Sequence, residues 1–271
     1  MLKDITIGQY FPGNSVVHRL DPRFKIIITG VFIAMLFSAD GFLGLAVGGV
    51  FLIVSFLLSK IPFKLMMKSL KPIIPIILFT SVLNIFFLDG VPLLKLGFIK
   101  ITVEGLRTSA FMIIRIIALI MGSSLLTYTT SPITLTDAIE RLLSPLKKLK
   151  LPVHELAMMM TIALRFIPTL IEETDKIMSA QKARGADMET GSLVQRAKAL
   201  TPILIPLFVS AFRRAEELAT AMECRCYQGG DGRTKMRQLK YTKRDAAAYV
   251  LILIYFVSSW LINLIWRRFW R

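Results

Sequence analysis

Two arginines, Arg184 and Arg225, each close a long segment rich in Leu, Ile, Met and Ala, and each stands between small side chains. The first sits in "QKARGAD", 181–187, and the second in "MECRCYQGG", 222–230. A guanidinium clear of bulky neighbours can enter a groove and pair with a carboxylate through two parallel hydrogen bonds, which the point charge of lysine cannot copy. Set in register, "IMSAQKARG" (177–185) lies over "LATAMECRC" (218–226), with Ala180 over Ala221. Twelve residues before each arginine a charged cluster begins, "EETDK" at 172–176 and "RRAEE" at 213–217. Each segment also has a proline upstream, Pro168 and Pro206, offset by three residues in this register. A proline inside an apolar helix kinks or ends it. Arginine in a last turn also complements the helix dipole, so ordinary amphipathic helices share part of this pattern. The flanking pairs Ala183/Gly185 and Cys224/Cys226 favour two plugs instead, matched to a partner with two grooves, such as a dimer. Gly185 and Gly229–Gly230 read as the residues that end the two helices.

Other chemistry finds little support in the residues. The chain has no GxxxxGK[ST] loop, and "GGDGRTK" (229–235) lacks that spacing, so no ATP site is expected. His18 and His154 are far apart and have no cysteine or carboxylate at ligand spacing, so no metal, cofactor or catalytic residue is expected. Cys224 and Cys226 are too close for an ordinary disulfide and read as reduced. An ion-coupled carrier needs ionisable groups at mid-membrane depth. The apolar runs hold no Asp or Glu; Asn84, Asn263 and Arg115 are their main polar residues, and Arg115 reads as snorkelling or pairing with another helix. Energy for any transport must come from elsewhere.

These arginines need elements to hold them. The chain is 54% hydrophobic over 271 residues, with the excess in blocks, which marks a membrane protein. Apolar runs fill 24–39, 41–59, 72–88 and 109–128, and a fifth closes the chain at about 246–266. The start "MLKDITIGQYFPGNS" is polar, so no cleavable signal is expected. Net charge is +16, which topology explains without nucleic acid, because no basic stretch is interleaved with exposed aromatics. Arg19, Arg23 and Lys25 enter the first run, and Lys60, Lys64, Lys68 and Lys71 follow the second, while "ADG" alone links the two. The amino terminus is therefore expected in the cytoplasm, and the carboxyl-terminal "WRRFWR" outside. Residues 89–108 alternate through Ile99, Ile101 and Val103 and read as a short extracellular hairpin or an interfacial segment. From 129 to 245 the chain mixes charge with helical apolar spacing (Leu156, Met159, Met160, Ala163, Ile167). A short helix over "TDAIERLLSPLKKLK" (136–150) and two long ones follow. They read as too charged to span and too apolar for water, and so as lying along the inner face of the membrane or against other subunits.

The stretch "GQYFPGNSVVHRLDPRFKII" (8–27), above all "HRLDPRFK" (18–25), resembles the opening signature of the transmembrane coupling proteins (EcfT) of energy-coupling factor, ECF, transporters, a family of cobalt-type transport permeases. "ARG" at 183–185 resembles the first Ala-Arg-Gly motif of that family, and "CRC" at 224–226 sits where the second arginine motif is expected, matching it strictly only at the arginine. The resemblance runs along essentially the whole chain. It implies an all-α membrane protein of about five transmembrane helices with a cytoplasmic domain of three amphipathic coupling helices. The domains would be 1–128, 129–245 and a last span with tail, 246–271. It further implies a non-catalytic subunit of the cell membrane. Its partners would be two ABC-type ATPases, bound through Ala183, Arg184, Gly185, Cys224, Arg225 and Cys226, and a membrane S component that captures a vitamin or a metal ion. A permease dedicated to cobalt or nickel, an ion-coupled carrier and a membrane enzyme are the competing readings.

Overall fold

The computed structural model describes residues 10–39, 41–88, 90–96, 99–186, 192–230, 241 and 243–269. In chain order it forms helices α1 (Pro22–Ser38), α2 (Phe42–Ser59), α3 (Phe63–Leu70) and α4 (Ile74–Phe87), with a 3₁₀ turn at Lys71–Ile73 between the last two. Strands β1 (Pro92–Leu96) and β2 (Ile99–Thr102) pair antiparallel, and α5 (Val103–Thr129) follows. Then come α6 (Pro132–Leu143), α7 (Val153–Ala183), α8 (Leu193–Glu223) and α9 (Lys243–Phe269). Among the described residues the architecture is all-α apart from that one hairpin, which falls where the sequence alternates.

The elements group into two units. One comprises the described residues of Gln9–Leu135 and Gln238–Arg271, the other those of Thr136–Arg237. In the larger unit, α1, α2, α5 and α9 enclose a core of Phe32, Leu36, Leu52, Phe56, Ala118, Ile252 and Tyr255, with the Phe51 and Tyr255 rings stacked at 4.8 Å. Around it the helices turn apolar side chains outward, Leu57 and Phe87 being 74% and 81% exposed. That is stable only in a hydrocarbon solvent.

Among the described residues five helical runs are long and apolar enough to cross a membrane: Phe42–Ser59, Phe63–Phe87, Val103–Thr129, Val153–Ala183 and Asp245–Ile262. The number matches the sequence reading but the set differs. α1 has 17 residues, at the short limit of a span. α7 qualifies although the long middle helices were expected to be too charged. The reason is uneven charge: up to Ile171 it carries only Glu155 and Arg165, and its acids crowd into Glu172–Asp175. By length and composition, then, α7 reaches the apolar content of a span. α8 is not among the five, and α7 and α8 both run through their prolines, Pro168 in one and Pro202 and Pro206 in the other. The prolines therefore remove hydrogen bonds inside these helices without ending them.

Candidate functional site

Both arginine-bearing ends have the same backbone. At the end of α7 the Ala186 amide donates to the Gln181 carbonyl (3.0 Å) and the Gly185 amide to Lys182 (3.0 Å), with Gly185 left-handed at φ +83°. At the end of α8 the Tyr227 amide donates to Met222 (3.1 Å) and the Cys226 amide to Glu223 (2.8 Å), with Cys226 left-handed at φ +54°. These two bonds define a Schellman motif, and the arginine is in each case the residue just before the left-handed one. The register read from sequence, Arg184 on Arg225, is thus also a register of backbone geometry. Both arginines are exposed, as are Ala183, Gly185, Cys224 and Cys226. Among the described residues neither guanidinium is held by a hydrogen bond or an ion pair. Both are free to meet an outside group.

One expectation is corrected here. The residue that ends α8 is Cys226, not Gly229–Gly230. The glycines serve the chain beyond: Gly229 takes φ +94°, and Gly230 passes so close to the His154 ring that a Cβ there would lie 2.6 Å from His154 Cγ. His154 in turn reaches Glu140 of α6 at 3.1 Å. The segment after the second arginine is thereby returned to the start of α7.

The two long helices meet at equivalent positions. Arg214 Nη2 donates to Glu173 Oε2 at 3.0 Å, and the Ser210 hydroxyl donates to Glu173 Oε1. Glu173 lies eleven residues before Arg184, and Arg214 eleven before Arg225. Each arginine therefore stands about 16 Å of helix beyond the shared contact, at 1.5 Å per residue. The contact lies equally far along the two helices from their arginines. The clusters "EETDK" and "RRAEE" flank it, so a pattern visible in sequence proves to be the crossing itself.

The "HRLDPRFK" stretch is structural. Asp21 caps α1 by accepting from the Arg23 amide (2.9 Å), and its own amide donates to Asp245 Oδ1 at the start of α9 (2.8 Å). Arg23 bonds Asp21 at 2.8 Å and stacks over the Tyr241 ring at 4.2 Å. Lys25 is buried, and its ammonium donates to the carbonyls of His18 (3.2 Å) and Thr129 (2.8 Å) and to the Thr130 hydroxyl (3.3 Å). Three donors meet three acceptors, tying α1 to the end of α5. His18 contacts the Phe11 carbonyl through Nε2 (3.0 Å) and the Ser15 hydroxyl through Nδ1 (2.7 Å), which fits a neutral ring donating from Nε2. Burial lowers its pKa, and nearby Lys25 adds to this, against the opposing bond to Phe11. Arg115 also has a partner across helices: its Nη2 donates to the Ala39 carbonyl at 2.5 Å and its guanidinium lies over the Phe111 ring at 4.5 Å. Among the described residues no cluster of three or more His, Cys, Asp or Glu is placed to hold a metal.

Residues 13–236 match the model of the cobalt transport protein family, CbiQ. The chain belongs to that family. It is 56% identical to the energy-coupling factor transporter transmembrane protein EcfT of Thermosediminibacter oceani, over 98% of this chain and 100% of the relative. It is also 56% identical to the EcfT of Clostridium kluyveri, over 99% and 100%, and 52% identical to that of Bacillus subtilis, over 94% and 96%. As a member of this family the chain is a multi-pass membrane component of a transport system. The family match covers both arginine motifs and the "HRLDPRFK" stretch.

Proposed function

We propose that this chain is the coupling subunit of an ECF-type importer, passing ATP-driven motion from two ABC-type ATPases to a membrane S component that captures a micronutrient. The observation that carries this reading is the pair of identical helix ends, each presenting one unpartnered arginine, set eleven residues from a shared contact. Arg184 and Arg225 would each enter a groove of one ATPase and pair with an acid there. The small flanks Ala183, Gly185, Cys224 and Cys226 would let the groove walls close round the guanidinium. Because the two helices meet at Glu173 and Arg214, that contact would be the pivot between two arms, and displacing one arginine relative to the other would change the angle there. Pro168, Pro202 and Pro206, each lacking a backbone bond one turn upstream, give the arms somewhere to bend. The apolar faces of α7 and α8 (Met159, Met160, Phe208 and Phe212 are 46–69% exposed) would then re-pack against membrane or S component.

In this reading the chain hydrolyses nothing, residues 129–245 face the cytoplasm with the amino terminus, and the hairpin faces outward. The name "EcfT" of the relatives supports the shared coupling role, and the family description "cobalt transport protein" supports a second reading, a permease dedicated to a metal ion. Purification of the tagged chain from its native membrane separates them. Two ATPase chains and a small membrane protein should be recovered with it. Several different small proteins would mean a shared coupling subunit, and a single one binding cobalt or nickel would favour the dedicated permease. Recovery of the chain alone, or ATP hydrolysis by a preparation free of other subunits, would overturn both.

A further inference from the structure

Between α2 and α4 the chain has four lysines and no acid: Lys60, Lys64, Lys68 and Lys71. Lys60 stands at the left-handed end of α2, and Lys64, Lys68 and Lys71 follow one turn apart along α3 and the 3₁₀ turn after it. All four are exposed, and among the described residues none is hydrogen-bonded or ion-paired. A second line runs beside it, with Phe63 66%, Met67 42% and Ile74 47% exposed. The third face belongs to the protein. Met66 is buried, the Tyr128 hydroxyl donates to the Leu65 carbonyl (3.1 Å), and Ser69 shares a 2.6 Å hydrogen bond with the same phenol. Tyr128 thereby fixes the roll of α3, and the lysines cannot turn onto the protein.

The run Phe63–Phe87 has 25 residues. At about 1.5 Å per residue its contour, through the 3₁₀ turn at Lys71–Ile73, is ~37 Å against ~30 Å of hydrocarbon, which leaves roughly its first turn for the headgroups. Lys64 begins there, and Lys68 and Lys71 reach the same layer by extending their stems. An acidic protein in water would satisfy the lysines but leave Phe63 and Met67 wet. The boundary between acyl chains and anionic headgroups satisfies both lines at once.

We propose that α3 is a docking helix for anionic phospholipid, with the headgroup phosphate across Lys64, Lys68 and Lys71 while Phe63 and Met67 enter the acyl layer. This site is independent of the coupling role, and a nanodisc, which offers lipid at both faces, makes its test independent of orientation. The full chain with its co-purifying subunits is placed in nanodiscs of phosphatidylcholine containing phosphatidylglycerol, and the lipid retained after transfer to mild detergent is counted by native mass spectrometry. Phosphatidylglycerol should be retained in preference, by up to about fivefold per lysine. K64Q/K68Q/K71Q should lower that preference at least ~tenfold on the same scale. K64R/K68R/K71R should keep it, and K148Q/K150Q, which removes two exposed lysines of the other unit, should leave it unchanged. Equal retention of the two lipids by the wild-type chain would overturn the proposal, and so would full preference in the glutamine variant. An equal loss in K148Q/K150Q would overturn it too, by assigning the effect to net charge. If the glutamine variant fails to fold, the wild-type comparison and the arginine variant still decide.

Discussion

At the scale of single residues, the two helix ends differ at the one position where backbone conformation is demanding. Gly185 occupies the left-handed region without cost, whereas Cys226 pays about 1–2 kcal/mol for its Cβ there. Cys226→Gly should therefore steady the end of α8 by roughly 0.5–1 kcal/mol after the added flexibility of glycine in the unfolded chain. Gly185→Ala should loosen the end of α7 by ~1 kcal/mol. Hydrogen exchange at the Tyr227 and Ala186 amides reads both changes, and unaltered exchange in both variants would contradict the Schellman geometry. His18 supplies a pH prediction. Its neutral form is favoured in the fold, so the unfolded chain binds the proton more readily and stability rises with pH through this group. The contribution is complete above its ordinary pKa near 6.5 and is lost as pH falls below it. Thermal unfolding should shift downward between about pH 6.5 and 5, and His18→Gln should remove that part of the shift. A wild-type midpoint flat over this range would tell against the half-buried neutral ring.

At the scale of elements, the pivot is the testable feature. The Glu173–Arg214 pair is partly exposed, with side chains 23% and 36% accessible, so its direct contribution is only ~0.2–1 kcal/mol. Its role is positional. Glu173→Arg should place like charges at the crossing and uncouple transport from ATP hydrolysis, while Glu173→Arg with Arg214→Glu should restore coupling. Failure of the exchange to restore it, with the complex intact, would remove the pivot from the account. The sequence already showed the apolar runs, the hairpin and the register of Arg184 on Arg225, because periodicity and turn chemistry are local. It did not show that Cys226, rather than a glycine, ends α8. Glycine is only a preference for the left-handed region, and the Tyr227–Met222 and Cys226–Glu223 bonds decide which residue enters it. Nor did it show that "EETDK" meets "RRAEE", since both read alone as solvated faces. "HRLDPRFK" was legible as a signature, but its work lies in contacts with Thr129, Tyr241 and Asp245, more than a hundred residues away in the chain. The apolar first half of α7 stayed hidden because its charges were counted over the whole helix instead of half by half.

At the scale of the whole molecule, orientation and docking carry the proposed function. If the hairpin faces outward and the helix ends inward, Val91→Cys, a position 65% exposed, should react with an impermeant thiol reagent in intact cells. The native Cys224 and Cys226 should react only after the cells are opened. The reverse pattern would turn the chain over and put the arginines out of reach of any cytoplasmic ATPase. The decisive experiment recovers ATPase with the tagged chain in four variants: Arg184→Ala, Arg225→Ala, both together, and both changed to Lys. Truncating one member of a desolvated charge pair costs about 2–5 kcal/mol, roughly thirty- to several-thousand-fold in affinity at that site. A dimer held at two points should survive the loss of one, because the remaining anchor keeps the local concentration high. Each single variant should thus retain much of the ATPase with weakened transport, and the double Ala variant should release it while still inserting in the membrane. The double Lys variant should rescue poorly, since an ammonium cannot reproduce the planar fork. Full ATPase recovery with the double Ala variant would contradict the account and leave Arg184 and Arg225 as ordinary helix ends.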